Sequence, residues 1–181
     1  MRGFRRRCAA PFWSEWLGDS SKSGGGVFDL LIHDVDFALS LFGMPEAVSA
    51  AGYEDMPHGI DWILAQFWYP DIGAVAVSGG WHHPKSYPFS MEYTIVAQEG
   101  TLEFNSAGRP LTLYRKDGQE QPLATPEVDG YQAELEYFLD CVRTGRQPSF
   151  CPARESAAAI KLAQLMLQSR RRNGEKIPCR L

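Results

Sequence analysis

The sequence is poor in the features that tie a chain to a disulfide framework, a membrane or a nucleic acid. Its cysteines, Cys8, Cys141, Cys151 and Cys179, form no C-x-x-C pair and match no zinc spacing, so they read as reduced thiols. No apolar run is long enough to span a bilayer. The start Met-Arg-Gly-Phe-Arg-Arg-Arg is basic, but Trp13, Glu15, Trp16 and Asp19 stand where a signal peptide needs an unbroken apolar core, and a cytoplasmic location is expected. Positive charge is also short, with 18 Lys and Arg against 22 Asp and Glu and a sequence pI near 5.6. A net charge of -4 leaves no global field to hold nucleic acid or an anionic membrane. The two basic runs, Arg5-Arg6-Arg7 and Arg170-Arg171-Arg172, are expected to be solvated segment ends.

What is present is the composition of a globular protein. At 181 residues, 44% of them hydrophobic, the chain suffices for one ordinary domain with a core of its own. Residues 1–23 end in the loop-like Asp19-Ser20-Ser21-Lys22-Ser23 and are expected to be a lead-in, with the domain proper over 24–181.

The stretch Gly24-Gly25-Gly26-Val27-Phe28-Asp29-Leu30-Leu31-Ile32-His33-Asp34-Val35-Asp36 organises the rest. A helix over 27–41, stopped at Gly43 with Pro45 beyond, places Asp29 and His33 four residues apart on one face. That pair admits three readings. It is a modestly stabilising helix pair, a general acid/base pair, or part of a metal site with Asp36 and one of His58, His82 and His83. An imidazole titrating near neutral pH beside a carboxylate suits proton transfer. The three glycines fit neither G-x-G-x-x-G after a strand nor G-x-x-x-x-G-K-[ST], so they are a weak nucleotide signal.

Short segments rich in β-branched and aromatic residues follow, over 47–53, 61–69, 73–81, 90–97, 100–105 and 110–115, with turn residues between them. Strands so closely spaced pair as antiparallel hairpins. In 61–69 both alternating faces are nearly apolar, which calls for cover on two sides: helices on one, a second subunit on the other. Amphipathic helices are read over 131–143 and 152–172, both able to pack on the sheet. The expected class is α+β, an open, mainly antiparallel sheet with helices on one face and the other free for oligomerisation.

Trp81-His82-His83-Pro84-Lys85-Ser86-Tyr87-Pro88-Phe89 joins two strands and carries groups suited to a sugar-like ligand, or is an irregular surface loop. His82 and His83, consecutive in a strand, are expected to point to opposite faces.

The glycine-to-Asp36 stretch and the following Leu41-Phe42-Gly43-Met44-Pro45-Glu46-Ala47-Val48 resemble the Gly-Gly-Gly…Asp-x-x-x-His segment of the Gfo/Idh/MocA family, the relatives of glucose-fructose oxidoreductase and inositol dehydrogenase. Two later stretches, 94–104 and 131–148, resemble that family's strand-turn-strand and its C-terminal helix and turn. The resemblance implies hydride transfer between a nicotinamide cofactor and a sugar or cyclic polyol. His33 would be the acid/base at the reacting hydroxyl and Asp29 would orient it or contact the substrate. Tyr87 and Phe89 match positions lining the substrate pocket, with Trp81 and His82 beside them.

The family's first half, a Rossmann domain, has no counterpart here: no G-x-G-x-x-G follows a strand, and Lys85 precedes Ser86 where the family's Glu-Lys-Pro carries its lysine before proline. The expectation is a substrate-side domain without its own cofactor site, inactive alone, with NAD(P) implied for the complete enzyme and a separate Rossmann-domain chain as partner. The alternative is a binding or oligomerisation module that has lost catalysis. A homo-oligomer through the sheet face is expected in either case.

Overall fold

The computed structural model describes residues 2–11 and 14–180. Phe12 and Trp13, aromatics of the expected lead-in, lie outside the described residues. In chain order the elements are β1 (Arg2–Ala9), α1 (Glu15–Gly18), α2 (Ser20–Ser23), a π-helical turn (Val27–Leu31), α3 (Ile32–Phe42), β2 (Ala47–Asp55), a 3-10 turn (Met56–His58), β3 (Ile60–Tyr69) and β4 (Gly73–His83). They continue with β5 (Ser90–Val96), β6 (Gly100–Asn105), β7 (Arg109–Arg115), β8 (Glu120–Pro122), α4 (Gly130–Thr144), α5 (Ala153–Arg171) and β9 (Ile177–Pro178).

The strands form one open sheet in the order β8-β7-β6-β5-β1-β4-β3-β2-β9. Among the described residues only the β1–β4 pair runs parallel; the other neighbours are antiparallel. Two hairpin-built wings, β2-β3-β4 with β9 and β5-β6-β7-β8, are therefore joined by β1 at the centre. The stretch expected as a lead-in supplies that central strand. Its charge hides it: Phe4 is buried in the core, while the arginines alternate between the two sheet faces.

One face is covered. Ile63, Ala65 and Phe67 of β3, Val75 and Val77 of β4 and Phe4 of β1 pack against Val27, Leu31, Val35 and Ala38 from the first long helical segment and Leu162, Ala163 and Met166 of α5. Each large side chain so buried contributes about 1.5–3 kcal/mol. Along β3 the alternate residues Trp62, Leu64, Gln66 and Trp68 face the uncovered side, where Leu64 is 45% exposed. The class is α+β with an open mixed sheet, as the hairpin spacing implies.

α4 departs from expectation. It is capped by Asp129, whose carboxylate accepts the Gln132 N–H at 2.8 Å, and it ends at Gly145. Its apolar stripe nevertheless faces solvent, with Leu135, Phe138, Leu139 and Val142 exposed, because the helix stands off the sheet rather than on it. Among the described residues the π-helical turn, α3 and α5 pack there.

Arg170 also departs from the solvated-end reading. It is buried near the end of α5, where Nη1 donates to Asp61 Oδ1 at 2.6 Å and to the Trp62 carbonyl at 3.3 Å, and Nη2 reaches Glu54. Asp61 Oδ2 in turn accepts the Val27 N–H at 3.2 Å, tying α5, β3 and the start of the helical segment to one carboxylate. One residue earlier, Ser169 Oγ accepts the Ala50 N–H at 2.8 Å and donates to the Glu175 carbonyl at 2.6 Å. It satisfies backbone groups at the β2 edge that the short β9 does not reach.

Candidate functional site

The glycine run is a packing device. Gly25 sits at φ +78°, and a Cβ there would lie 2.6 Å from Asp61 Oδ2. The absent side chain admits a carboxylate from β3, and that carboxylate is held by Arg170. A cofactor pyrophosphate does not fit this turn, because an anion already occupies the space a phosphate would need.

Asp29 and His33 follow on two kinds of helix. Residues Val27–Leu31 take the wider π-helical turn before α3 begins at Ile32. The extra residue per turn shifts the angular spacing, so i and i+4 no longer lie directly one above the other. Asp29 is half-buried, His33 is exposed, and the two make no hydrogen bond to each other among the described residues. Such local π turns occur frequently at functional sites.

Other groups gather beside them on the helix-covered side of β1. Arg6 donates to Asp34 Oδ1 through Nε at 3.1 Å and Nη2 at 2.8 Å, a two-pronged contact between side chains largely shielded from water. Burial pushes the Asp34 carboxyl up from its ordinary range, opposed by the hydrogen bond and charge of Arg6 and by the neighbouring His33. Among the described residues Asp34 Oδ2 has no hydrogen-bond partner. Burial, reinforced by the Asp29 charge, raises the Cys8 thiol to about 11, so it is not a nucleophile at neutral pH. Phe89, half exposed, lies with its ring centre 5.9 Å from the Arg6 guanidinium. Asp29, His33 and Phe89 of the sequence reading are thus associated with Cys8, Arg6 and Asp34, which that reading did not single out. The alternation hidden in Arg5-Arg6-Arg7 is the signal that would have found Arg6.

Trp81 is 2% exposed and packs on Ala10 and Leu30 in a cluster that Cys8 also joins, and it lines a cavity of about 630 Å³ with Pro57 and His58. The other expected site residues lie elsewhere. His82 and His83 do not point to opposite faces. The register of β1 against β4 shifts there, Cys8 pairing with Trp81 and Ala9 with His83, and this bulge brings the two imidazoles to 4.0 Å between ring centres. Tyr87 stacks on His83 at 3.7 Å and 10°. This aromatic group belongs to the open face, with Trp62 at 6.2 Å from His82. Among the described residues no group of three or more His, Cys, Asp and Glu side chains could hold a metal ion, so the metal reading of Asp29 and His33 finds no support.

Burial and the charge of Arg7 hold both His82 and His83 below the ordinary histidine value of 6.5, the backbone hydrogen bond to Gly80 partly offsetting this for His82. The unfolded chain therefore takes up protons just below that value while the folded chain does not, and stability is lost as pH falls through the window. Urea unfolding is expected to give a lower free energy at about pH 5 than at about pH 7, with a shallower decline in the His82→Gln/His83→Gln variant. Asp34 shifts stability the opposite way, but equally in both proteins. Parallel declines would overturn the assignment.

Comparison with known proteins agrees with the fold and the order of these elements. Residues 2–178 match the model of an oxidoreductase family's C-terminal alpha/beta domain. The chain is similar to D-xylose 1-dehydrogenase (NADP(+)) 2 of Haloferax volcanii, 28% identical over 134 residues that make up 72% of this chain and 41% of that protein. Among solved structures, levoglucosan dehydrogenase in complex with NADH superposes with a TM-score of 0.79 at 15% identity, covering 98% of this chain and 58% of that one. UDP-N-acetylglucosamine 3-dehydrogenase from Acidithiobacillus ferrooxidans gives 0.75 at 18% identity, covering 93% and 52%. The chain thus spans about half the length of the relatives it matches.

Proposed function

The chain belongs to the Gfo/Idh/MocA oxidoreductase family through the C-terminal alpha/beta domain that its residues 2–178 match, and from that premise we propose that it is the substrate side of an NAD(P)-dependent oxidoreductase acting on a sugar or cyclic polyol. One observation carries the reading: His33 stands exposed at the start of α3 while its neighbours Leu31, Asp34 and Val35 are buried. An imidazole in that position has no structural task and is free to exchange a proton with a substrate hydroxyl. In this proposal Asp29 contacts the substrate or orients the imidazole, Phe89 forms an apolar wall, and the Arg6–Asp34 pair fixes α3 against β1 so that His33 is held in place. Trp81 adjoins this group through Cys8 and Leu30, while Tyr87 and His82 lie on the other sheet face. The nicotinamide, which supplies hydride chemistry when bound, belongs to a second half of the enzyme.

The α4 stripe supports that division. Phe138, Leu139 and Val142 in water are a surface awaiting cover, and a nucleotide-binding half, encoded in the same frame or as a separate chain, is the occupant we assign. The chain alone is expected to leave NAD(P)H fluorescence unchanged, and the two halves together to reduce NAD(P)+ with a sugar. Nicotinamide binding by the chain alone would overturn the division. Absence of turnover with both halves present would favour the second reading, a binding or assembly module, which the same exposed stripe also suits.

Self-association through the open sheet face belongs to the proposal as well. Gln66, Trp68, Ala74 and Ala76 form its flat, weakly polar end, continuous with exposed Leu64. Sedimentation is expected to show concentration-dependent association, and a clean monomer at micromolar concentration would remove this part.

A further inference from the structure

The helical segment that carries Asp29 and His33 begins without a cap of its own. Gly26, the residue before the π-helical turn, has no side chain to accept a backbone N–H, and Ser23 Oγ already accepts the Gly25 N–H at 3.2 Å. The Val27 N–H is met from outside the segment, by Asp61 Oδ2 of β3 at 3.2 Å. Arg170 aims that carboxylate by holding its other oxygen at 2.6 Å. The same turn is pressed onto the strands, since a Cβ on Gly26 would lie 3.0 Å from the Trp81 backbone nitrogen and 3.1 Å from the Asp61 carbonyl oxygen.

A second anchor lies farther along, where Asp34 takes the two-pronged contact of Arg6 on β1. β4 runs between β1 and β3, so the two anchors stand on strands about 10 Å apart. Asp29 and His33 lie between them. The backbone that joins the anchors must fit a span set by the sheet, and the π-helical turn, with its extra residue, falls within that span. Apolar residues of like volume in place of Asp61 and Arg170 would fill the same space at least as stably, but they would leave the Val27 N–H without an acceptor.

We propose that Asp61 is a positioning residue: a cap supplied by the sheet and held by Arg170, it sets with the Arg6–Asp34 pair the π-helical turn, and thereby the angle at which Asp29 and His33 meet the substrate. The inference rests on the assignment of those two as the residues that face the substrate. It gives the buried ion pair a task beyond stability, and it makes a small residue at position 26 a requirement of the site as well as of packing.

Two double variants isolate the contact. Arg170→Met with Asp61→Asn keeps an acceptor for the Val27 N–H, Arg170→Met with Asp61→Ala removes it, and neither strands a buried charge. In the intact chain, hydrogen exchange at the amides of residues 27–31 is expected to be about fivefold faster or more in the alanine pair than in the asparagine pair, with exchange in α5 alike in both. In the enzyme assembled from both halves, with D-xylose as the probe sugar, kcat should be about 10- to 100-fold lower in the alanine pair, KM moving less. Ser169→Ala, which removes buried hydrogen bonds between α5 and β2, should lower stability and leave kcat unchanged. Where the alanine pair does not fold, Gly26→Ala displaces the same turn and should lower kcat in the same direction. Equal exchange in the two double variants, equal kcat, or an equal loss of kcat in Ser169→Ala would overturn the proposal. His33→Ala separates it from the reading beneath it: turnover lost in His33→Ala but equal in the double variants removes the positioning role alone, whereas full turnover in His33→Ala removes both.

Discussion

Replacing Arg170 with alanine is expected to lower the unfolding free energy by about 3–5 kcal/mol. The size follows from what remains behind: Asp61, whose side chain is 1% exposed, would be left buried without the cation that faces it. Glu54, more accessible, would turn to water. Arg171→Ala, one residue on and solvent-exposed, should change stability by no more than about 0.5 kcal/mol, so the pair separates burial from mere helix-end charge. Combining Arg170→Met with Asp61→Asn should be less damaging than Arg170→Ala alone, because the amide oxygen still accepts the Val27 N–H and no charge is stranded. Urea unfolding of the three variants checks the order. A loss below about 1 kcal/mol for Arg170→Ala would mean that water reaches Asp61.

The second large effect concerns chemistry. In the enzyme assembled from both halves, His33→Ala is expected to reduce kcat/KM by about 100- to 10,000-fold, the range of general acid/base catalysis. The loss should appear in kcat, with KM little moved, if the imidazole acts chiefly in the transition state. Asp29→Asn should cost less, since it removes a positioning or binding contact. Thermal stability should be nearly unchanged in His33→Ala, because the side chain is exposed and makes no hydrogen bond among the described residues. Full activity of His33→Ala would end its assignment as the acid/base.

How far the sequence discloses this arrangement differs element by element. β2 to β7 show because each alternates or runs apolar between turn residues, and the structure keeps their bounds within a residue or two of the reading. β1 does not show, because Arg-Gly-Phe-Arg-Arg-Arg-Cys-Ala has the composition of a solvated end, and only pairing with Asp34 and Glu92, far along the chain, makes arginines tolerable in a central strand. β8 and β9 are too short to carry a period. The burial of Arg170 is likewise invisible locally, since its partner Asp61 is 109 residues away.

The candidate site follows the same rule. Asp29 and His33 are legible as a pair, but the π turn that sets their mutual angle has no sequence signature that periodicity can read. The bulge at His82 reverses an inference that strict alternation makes compelling. α4 reads correctly as amphipathic, but amphipathicity alone does not say where its stripe packs, and here the stripe stands exposed.

The position of β1 also sets an order of events during folding. Of the strands in this sheet it is the first made, yet its neighbours β4 and β5 are not both complete until residue 96. Each wing can close by local hairpins, which form in microseconds, whereas β1 must wait and then enter between two edges that it alone can join. Until it does, β4 and β5 present unpaired backbone to any passing strand. The arginine-rich sequence of β1 keeps the waiting segment soluble and disinclined to pair with copies of itself, so the charges that disguise it as a surface tail also guard the step on which the whole sheet depends.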